Sequence, residues 1–432
     1  MPGSVIGAEQ SLDLTRFVRP GDSIVWGQAC GEPQTLTERL VAQRHQIGPV
    51  RCFVGIPARS ILQPESVDGL SLSSYCGTGS NAALHQAGLL EIAPVHYSRI
   101  PDLLTSGPAR ADVVFVQVSA ADETGRHSMS LTDDYLSAVI DSAAVVIVEI
   151  NDRAPVVAGA RTLGPGEWTA AVRSSREPAQ MESAHASDVV HAVARNVASL
   201  IEDGATLQFG IGAVPEAVLR ELHGRRDLGI HSGVLNEAAM ELMESGAATG
   251  ARKSLDRGIA VAGFVTGTRR LFDFVDRNPA VNVRSTGYTH DSAILSAQHA
   301  LAAINSAIEV DVFGAVNAEV AAGKYVGAVG GAMDFLRGAA ASRGGLPIVA
   351  LPSSARGRSR IVAALGGPVS TPRADAAIIV TENGIADLRG LSLERRVEEM
   401  LRLADPVHRG ELAAAAEPIL RGEHQLTRGT VR

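Results

Sequence analysis

Asp227-Leu228-Gly229-Ile230-His231-Ser232-Gly233-Val234-Leu235-Asn236-Glu237 is the stretch whose reading decides the fold. Leu228-Gly229-Ile230 is a short apolar run after the basic turn Gly224-Arg225-Arg226, and it reads as a buried strand. At His231-Ser232-Gly233 the chain leaves the apolar layer. In an open α/β sheet, ligands collect outside the carboxyl ends of the strands. His231 and Gly233 are therefore candidate site residues, and Glu237 is the nearest carboxylate that follows them. His96, His127 and His290 sit near other predicted turns, where a structural hydrogen-bonding role is the ordinary reading.

A glycine loop lies upstream of this stretch, Gly210-Ile211-Gly212-Ala213-Val214-Pro215, after a strand and at the start of a helix. Exposed backbone N–H groups at a helix start suit a phosphate or another anion. A dinucleotide fingerprint would need Gly or Ala where Pro215 stands, and an acid where Ile230 stands, so nicotinamide binding is not expected. A second loop of small residues, Gly327-Ala328-Val329-Gly330-Gly331-Ala332, lies downstream and would let a bulky ligand approach the backbone. No GxxxxGK[ST], GxSxG or HExxH pattern occurs.

Further out, apolar runs alternate with helical periods. Ser23–Trp26, Pro49–Ile56, Ala111–Val118, Val145–Ile150 and Ala376–Val380 read as strands, with helices predicted over Leu12–Val18, Thr35–Ala42 and Val189–Glu202. This alternation predicts α/β architecture with mostly parallel sheets. The pattern also repeats. Gly21-Asp22-Ser23-Ile24-Val25-Trp26-Gly27 matches Gly204-Ala205-Thr206-Leu207-Gln208-Phe209-Gly210, each followed by a proline and a helix. Residues from about 154 to 183 are rich in Pro, Gly and polar side chains and read as the crossing between halves. We therefore expect two similar domains, 1–188 and 189–432, with a site between them.

Composition narrows the function classes. The 432 residues are 45% hydrophobic and 20% charged, with a net charge of −8. Such a balance argues against nucleic acid and against an anionic membrane surface as partners. Cys30, Cys52 and Cys76 form no metal or disulfide spacing, so no metal is expected. The N-terminal stretch MPGSVIGAEQ lacks a basic and then apolar leader pattern, and the expected location is cytoplasmic.

The chain resembles the acetyl-CoA hydrolase/transferase family, which includes the 4-hydroxybutyrate CoA-transferases. The resemblance runs from Gly31-Glu32-Pro33 through Pro94–Pro101, Val118–Gly125, Leu200–Gln208, Phe264–Thr268, Ile304–Asp311 and Val380–Gly390. It implies two Rossmann-like CoA-transferase domains. It also implies coenzyme A bound as acyl-CoA over Gly210, Ile211, Gly212, Ala213 and Val214, and against Gly330 and Gly331.

In that family the central loop reads H-[ST]-E-M, and its Glu attacks the thioester to give an acyl anhydride and then an enzyme–CoA thioester. Here Gly233 and Val234 stand at the Glu and Met positions. The family's GVGGQ loop reads Ala328-Val329-Gly330-Gly331-Ala332, TEYG reads Thr381-Glu382-Asn383-Gly384, and Pro-x-x-Tyr reads Ser285-Thr286-Gly287-Tyr288. Covalent catalysis needs a side-chain nucleophile, and glycine has none.

The expected activity is therefore acyl transfer by direct attack of an amine, a hydroxyl or water on the thioester, with a small-molecule acceptor and His231 as base. The alternatives are CoA transfer through a relocated carboxylate, Glu237 or Glu382, and a non-catalytic CoA-binding protein. A homodimer is compatible with each.

Overall fold

The computed structural model describes residues 4–6, 12–183, 186–375 and 378–421. The expectations that touch residues 1–3, 7–10 and Ala376 lie outside them. Ser23–Trp26, buried at all four positions, lies within an eight-stranded sheet. The spatial order is Ser4–Ile6, Ala170–Ser174, Val145–Asn151, Val113–Val118, Ser23–Trp26, Val50–Val54, Leu70–Ser74, Leu90–Ile92. Every neighbouring pair in it is parallel. Strands covered on both faces lose the polar alternation, which is why Val113–Val118 reads VVFVQV and is buried throughout.

The second sheet has six strands, in the order Gly229–Ile230, Thr206–Phe209, Leu301–Ser306, Leu346–Ala350, Ile378–Thr381, Gly384–Asp387. Only the last pair, a hairpin, is antiparallel. Thr206–Phe209 stands between Leu301–Ser306 and Gly229–Ile230, just as Ser23–Trp26 stands between Val113–Val118 and Val50–Val54. The repeated sequence pattern thus falls on strands of equivalent rank in the two sheets.

Asp188–Leu200 forms the helix expected there. Ser187 caps it by accepting from Val190 N, and Val190, Val193, Ala194 and Val197 face inward. Each valine buried in this way contributes about 1.5 kcal/mol or more. The stripe packs with Ala217 and Val218 of the Ala213–Glu221 helix into one core, which holds the start of that helix against its sheet.

Three local expectations change. Leu12–Val18 is not an α-helix but a single 3-10 turn, Leu14–Arg16. Side chains take up its backbone groups: Gln43 Oε1 accepts from Leu14 N, while Gln43 and Arg39 donate to Leu12 O. The crossing region contains Ala170–Ser174, a strand inside the first sheet; its small residues fit between neighbours, so tertiary packing decides its state. The strand of the central stretch is only Gly229–Ile230, begun after Asp227 at φ 57°. Among the described residues, no helix is long and apolar enough to cross a membrane.

Candidate active site

The carboxyl ends of strands from both sheets meet at a cavity of about 240 Å³. Gln208-Phe209-Gly210-Ile211 and Asn305-Ser306 come from the second sheet, and Gly233-Val234 from the turn into the short strand Val234–Leu235, which pairs with Phe264–Val265. Ile56 and Tyr75-Cys76 come from just beyond strands of the first. Val329-Gly330-Gly331-Ala332 and Phe335 close a third side. That third wall is stitched to the first half of the chain, since Tyr97 N donates to Gly330 O (3.0 Å) and Gly77 N to Gly327 O (2.8 Å).

Both glycine loops therefore open on one space. Gly212 has φ 125° and precedes the Ala213–Glu221 helix, and a Cβ on it would meet nothing within 4 Å. Ile211 beside it is 49% exposed, an uncovered apolar side chain at the cavity edge. Gly331 precedes the Ala332–Ala341 helix. First-turn N–H groups of both helices lack partners within the helix, which suits the oxygens of a phosphate or a polarised carbonyl. Gln208 and Asn305 lock each other on the floor through paired amides at 2.9 and 3.4 Å.

Gly233 lines the cavity, but His231, Glu237 and Glu382 do not. His231 is fully buried behind the wall. Its Nε2 lies 3.1 Å from the Thr289 carbonyl oxygen, which only accepts, so Nε2 carries the proton. Its Nδ1 lies 3.2 Å from the Gln298 amide nitrogen and accepts from it. No lone pair is left for a substrate. Burial first, and then the Lys253 charge, lower its pKa to about 4. His231 thus sits within the loop's own hydrogen bonds and away from the cavity.

Glu237 opens the helix Glu237–Glu244 and takes hydrogen bonds from Thr268 N (3.2 Å) and Thr268 Oγ1. Glu382 accepts from Ser353 N (2.8 Å) and Ser353 Oγ (2.6 Å). Both carboxylates are held by other loops.

The residue that does reach the cavity from this side is His290, which the sequence marked only as a turn histidine. Its ring stacks on Tyr97 at 4.8 Å and tilts against Phe335 at 4.6 Å. The neighbouring Ser285-Thr286-Gly287-Tyr288 departure was the available signal.

Behind Tyr97 lies a buried network that sequence reading missed. Gln28 Nε2 donates to Asp134 Oδ2 (2.7 Å) and to Tyr97 Oη, and Tyr75 Oη donates to Gln28 Oε1 (2.7 Å). Burial lifts the Asp134 carboxyl to about 7, against the lowering effect of the Gln28 bond. The network fixes the two tyrosine rings that form one side of the cavity.

No group of three or more His, Cys, Asp or Glu able to hold a metal ion occurs among the described residues. The acetyl-CoA hydrolase/transferase N-terminal domain matches residues 9–163, and the C-terminal domain of the same name matches 267–416. The chain is 36% identical over 330 residues to a 4-hydroxybutyrate coenzyme A transferase of Clostridium kluyveri, covering 76% of this chain and 77% of that protein. It is 31% identical over 426 residues to a butyryl-CoA:acetate CoA-transferase of Anaerostipes caccae, covering 94% of each. The crystal structure of RipA from Yersinia pestis superposes with a TM-score of 0.89 at 31% identity, over 96% of this chain and 97% of that one. With both domain models matched in order across the two sheets, the chain belongs to the acetyl-CoA hydrolase/transferase family.

Proposed function

We propose that this protein is an acyl-CoA-dependent acyltransferase. CoA lies over Gly210–Val214 and against Gly330-Gly331. The acyl group passes directly from sulfur to a small-molecule acceptor, with no glutamyl–CoA intermediate. The chain is taken as two domains, 1–188 and 189–432, the second carrying both loops.

One observation carries the reading: among the described residues, none that lines the cavity is Asp or Glu. A transferase of the double-displacement kind needs a carboxylate beside the thioester carbon. Here the loop position carries Gly233, and the nearby candidates Glu237 and Glu382 are hydrogen-bonded elsewhere. What remains is positioning of the thioester, with helix-start N–H groups to stabilise the developing oxyanion.

Positioning is the main resource of such a site, because well-oriented partners gain on the order of 7–11 kcal/mol against the free bimolecular reaction. The relatives' names speak of CoA transfer between acids and, in Yarrowia lipolytica, of acetyl-CoA hydrolysis. This chain would keep their CoA site and change the attacking group.

The test is mass spectrometry of products and of the intact protein after incubation with acetyl-CoA and a panel of acceptors. We expect acylated acceptor and free CoA, with no CoA adduct on the protein. Borohydride, which reduces a glutamyl thioester, should leave activity intact. A CoA adduct mapped to Glu237 or Glu382 would instead establish a relocated carboxylate. CoA binding without turnover of any acceptor would establish a binding protein.

A further inference from the structure

We propose that His290 is the catalytic proton acceptor of this site, and that the acceptor substrate is an uncharged hydroxyl compound or neutral amine rather than a carboxylate. This rests on the direct-transfer reading and goes beyond it in naming the base and the class of acceptor.

The tautomer follows from the hydrogen bonds. His290 Nδ1 lies 2.8 Å from Thr289 Oγ1, and that hydroxyl lies 3.3 Å from the Ser285 carbonyl oxygen. A carbonyl only accepts, and when the hydroxyl gives its proton to Ser285 O it receives Nδ1–H on its lone pair. Nε2 is then left with a lone pair, and it makes no hydrogen bond among the described residues.

The space in front of Nε2 is made by two glycines on different loops. A Cβ on Gly331 would stand 2.7 Å from Nε2, and one on Gly233 would stand 3.4 Å from it. The position that the family resemblance assigns to the nucleophilic Glu is therefore the position next to this nitrogen. Without a side chain there, Nε2 faces room for an incoming group.

The charge of the lining selects that group. Among the described residues, His290 is the only lining residue of the Asp, Glu, Lys, Arg and His types, and Tyr97 and Phe335 cover its ring. A carboxylate acceptor would lose its water here with no cation to replace it, and burying an unpaired charge is strongly unfavourable. A hydroxyl or a neutral N–H loses little and gains an acceptor in Nε2. Burial, with His231 nearby, holds the His290 pKa down at about 3, so the ring is neutral at neutral pH.

The step balances within the two substrates. The acceptor oxygen or nitrogen forms a bond to the thioester carbon as its proton moves to Nε2. The carbon–sulfur bond then breaks, and the departing sulfur takes that proton. The products are an ester or amide and CoA thiol.

The experiment uses acetyl-CoA with benzyl alcohol and aniline as uncharged acceptors, and with acetate and succinate as carboxylates. Wild type should acylate the first pair and not form CoA esters of the second. His290→Ala should lower kcat by about a hundredfold or more, the usual worth of a positioned base. Its CoA affinity by calorimetry should stay within about threefold, as expected when binding contacts are untouched. Added imidazole should restore part of the lost rate, which a purely structural role would not allow.

His290→Gln serves as a second variant if the alanine protein does not fold, and it should show the same loss of kcat. Unchanged kcat in a folded variant would overturn the proposal while leaving direct transfer standing. Equal use of the carboxylates would overturn it as well, and an acetyl group found on Cys76, the thiol that also lines the cavity, would overturn direct transfer together with it. If acetyl-CoA does not bind wild type at all, the direct-transfer reading fails, and this proposal with it.

Discussion

The strand end after Ser23–Trp26 and the strand end after Thr206–Phe209 hold the same rank in their two sheets, yet one is filled and the other is open. At the first, a Cβ on Gly27 would stand 2.5 Å from Gly31 O, and Gln28 fills the space beyond with bonds to Tyr75, Tyr97, Asp134 and Ile56 N. At the second, the nearest atom to a Cβ on Gly210 is Asn305 Oδ1 at 3.5 Å, and the loop edges the cavity. A repeated fold has thus been divided by task. One strand end carries a polar plug that fixes aromatic walls, and its counterpart carries bare backbone at the cavity edge. Gly233, on the open side, is where this division is most exposed to test.

The largest effect should come from closing the open side. Gly233→Glu adds a side chain whose Cβ already lies 3.3 Å from His290 Cε1. We expect acyl transfer to fall by about a hundredfold or more, roughly 2.7 kcal/mol of lost transition-state stabilisation. Recovery of CoA exchange with acetate is not required, because Val234, Ala332 and Asn383 differ from the family pattern as well and a nucleophile needs its supporting shell. Steady-state rates with the best acceptor decide it, and an unchanged rate would mean that the transfer occurs elsewhere.

Next comes the direct exchange of the two ends. Gly27→Ala forces a methyl group against a backbone oxygen and should cost about 2–3 kcal/mol of stability. Gly210→Ala meets ordinary contact distances and should leave stability within about 0.5 kcal/mol. Denaturant unfolding of the two variants reads the difference. Equal losses would show that the ends are packed alike.

The plug can also be titrated. Burial lifts Asp134 to about 7 in the folded protein, from the ordinary carboxyl value of 3.8 that the unfolded chain keeps. Its folded pKa is raised, so the native state holds a proton that the unfolded chain releases between these values. Wild-type stability should therefore decline as pH rises from about 4 to 7, relative to Asp134→Asn, and level off above that. Asn is tolerated at the Asp134 φ of 26°, so the comparison isolates the charge. We expect the difference to grow steadily with pH in paired melts across this range. A parallel pH dependence in the two proteins would place the titration outside the plug.

These contrasts also show what could be read in the chain before its fold was known. The parallel sheets were legible because buried strands such as Val145–Asn151 are apolar without alternation. Both glycine loops stood out in the sequence as small residues before a helix, and Gly210-Ile211 and Val329-Gly330-Gly331-Ala332 edge one cavity. Ala170–Ser174 was not, since its alanines carry no strand signal and only the neighbours Ser4–Ile6 and Val145–Asn151 make it one. The choice between His231 and His290 was not legible either. It depends on which ring nitrogen meets the Thr289 carbonyl and which meets the Thr289 hydroxyl, and spacing along the chain does not encode that. Gln28 gave no signal because its partners lie 47, 69 and 106 residues away.

The smallest effect should come from Gly330→Asp, which asks whether the open side binds CoA through its second loop. Gly330 has φ 55°, a region that Asp enters more easily than most residues, and a Cβ there would meet only Ala328 Cβ at 3.8 Å. The fold should therefore hold, whereas Gly212→Asp would add strain at φ 125° and confuse the result. A new carboxylate at Gly330 faces the same space as the helix-start N–H groups of Ala332–Ala341. It would repel CoA oxygens and compete for those donors. At a partly solvated edge such repulsion is worth about 1 kcal/mol, so CoA affinity should fall about fivefold to tenfold. It should also recover in part as salt rises and screens the charge. Calorimetric titration at two salt concentrations reads both. An unchanged dissociation constant at low salt would remove this loop from the CoA site and leave Gly210–Val214 as its only remaining wall.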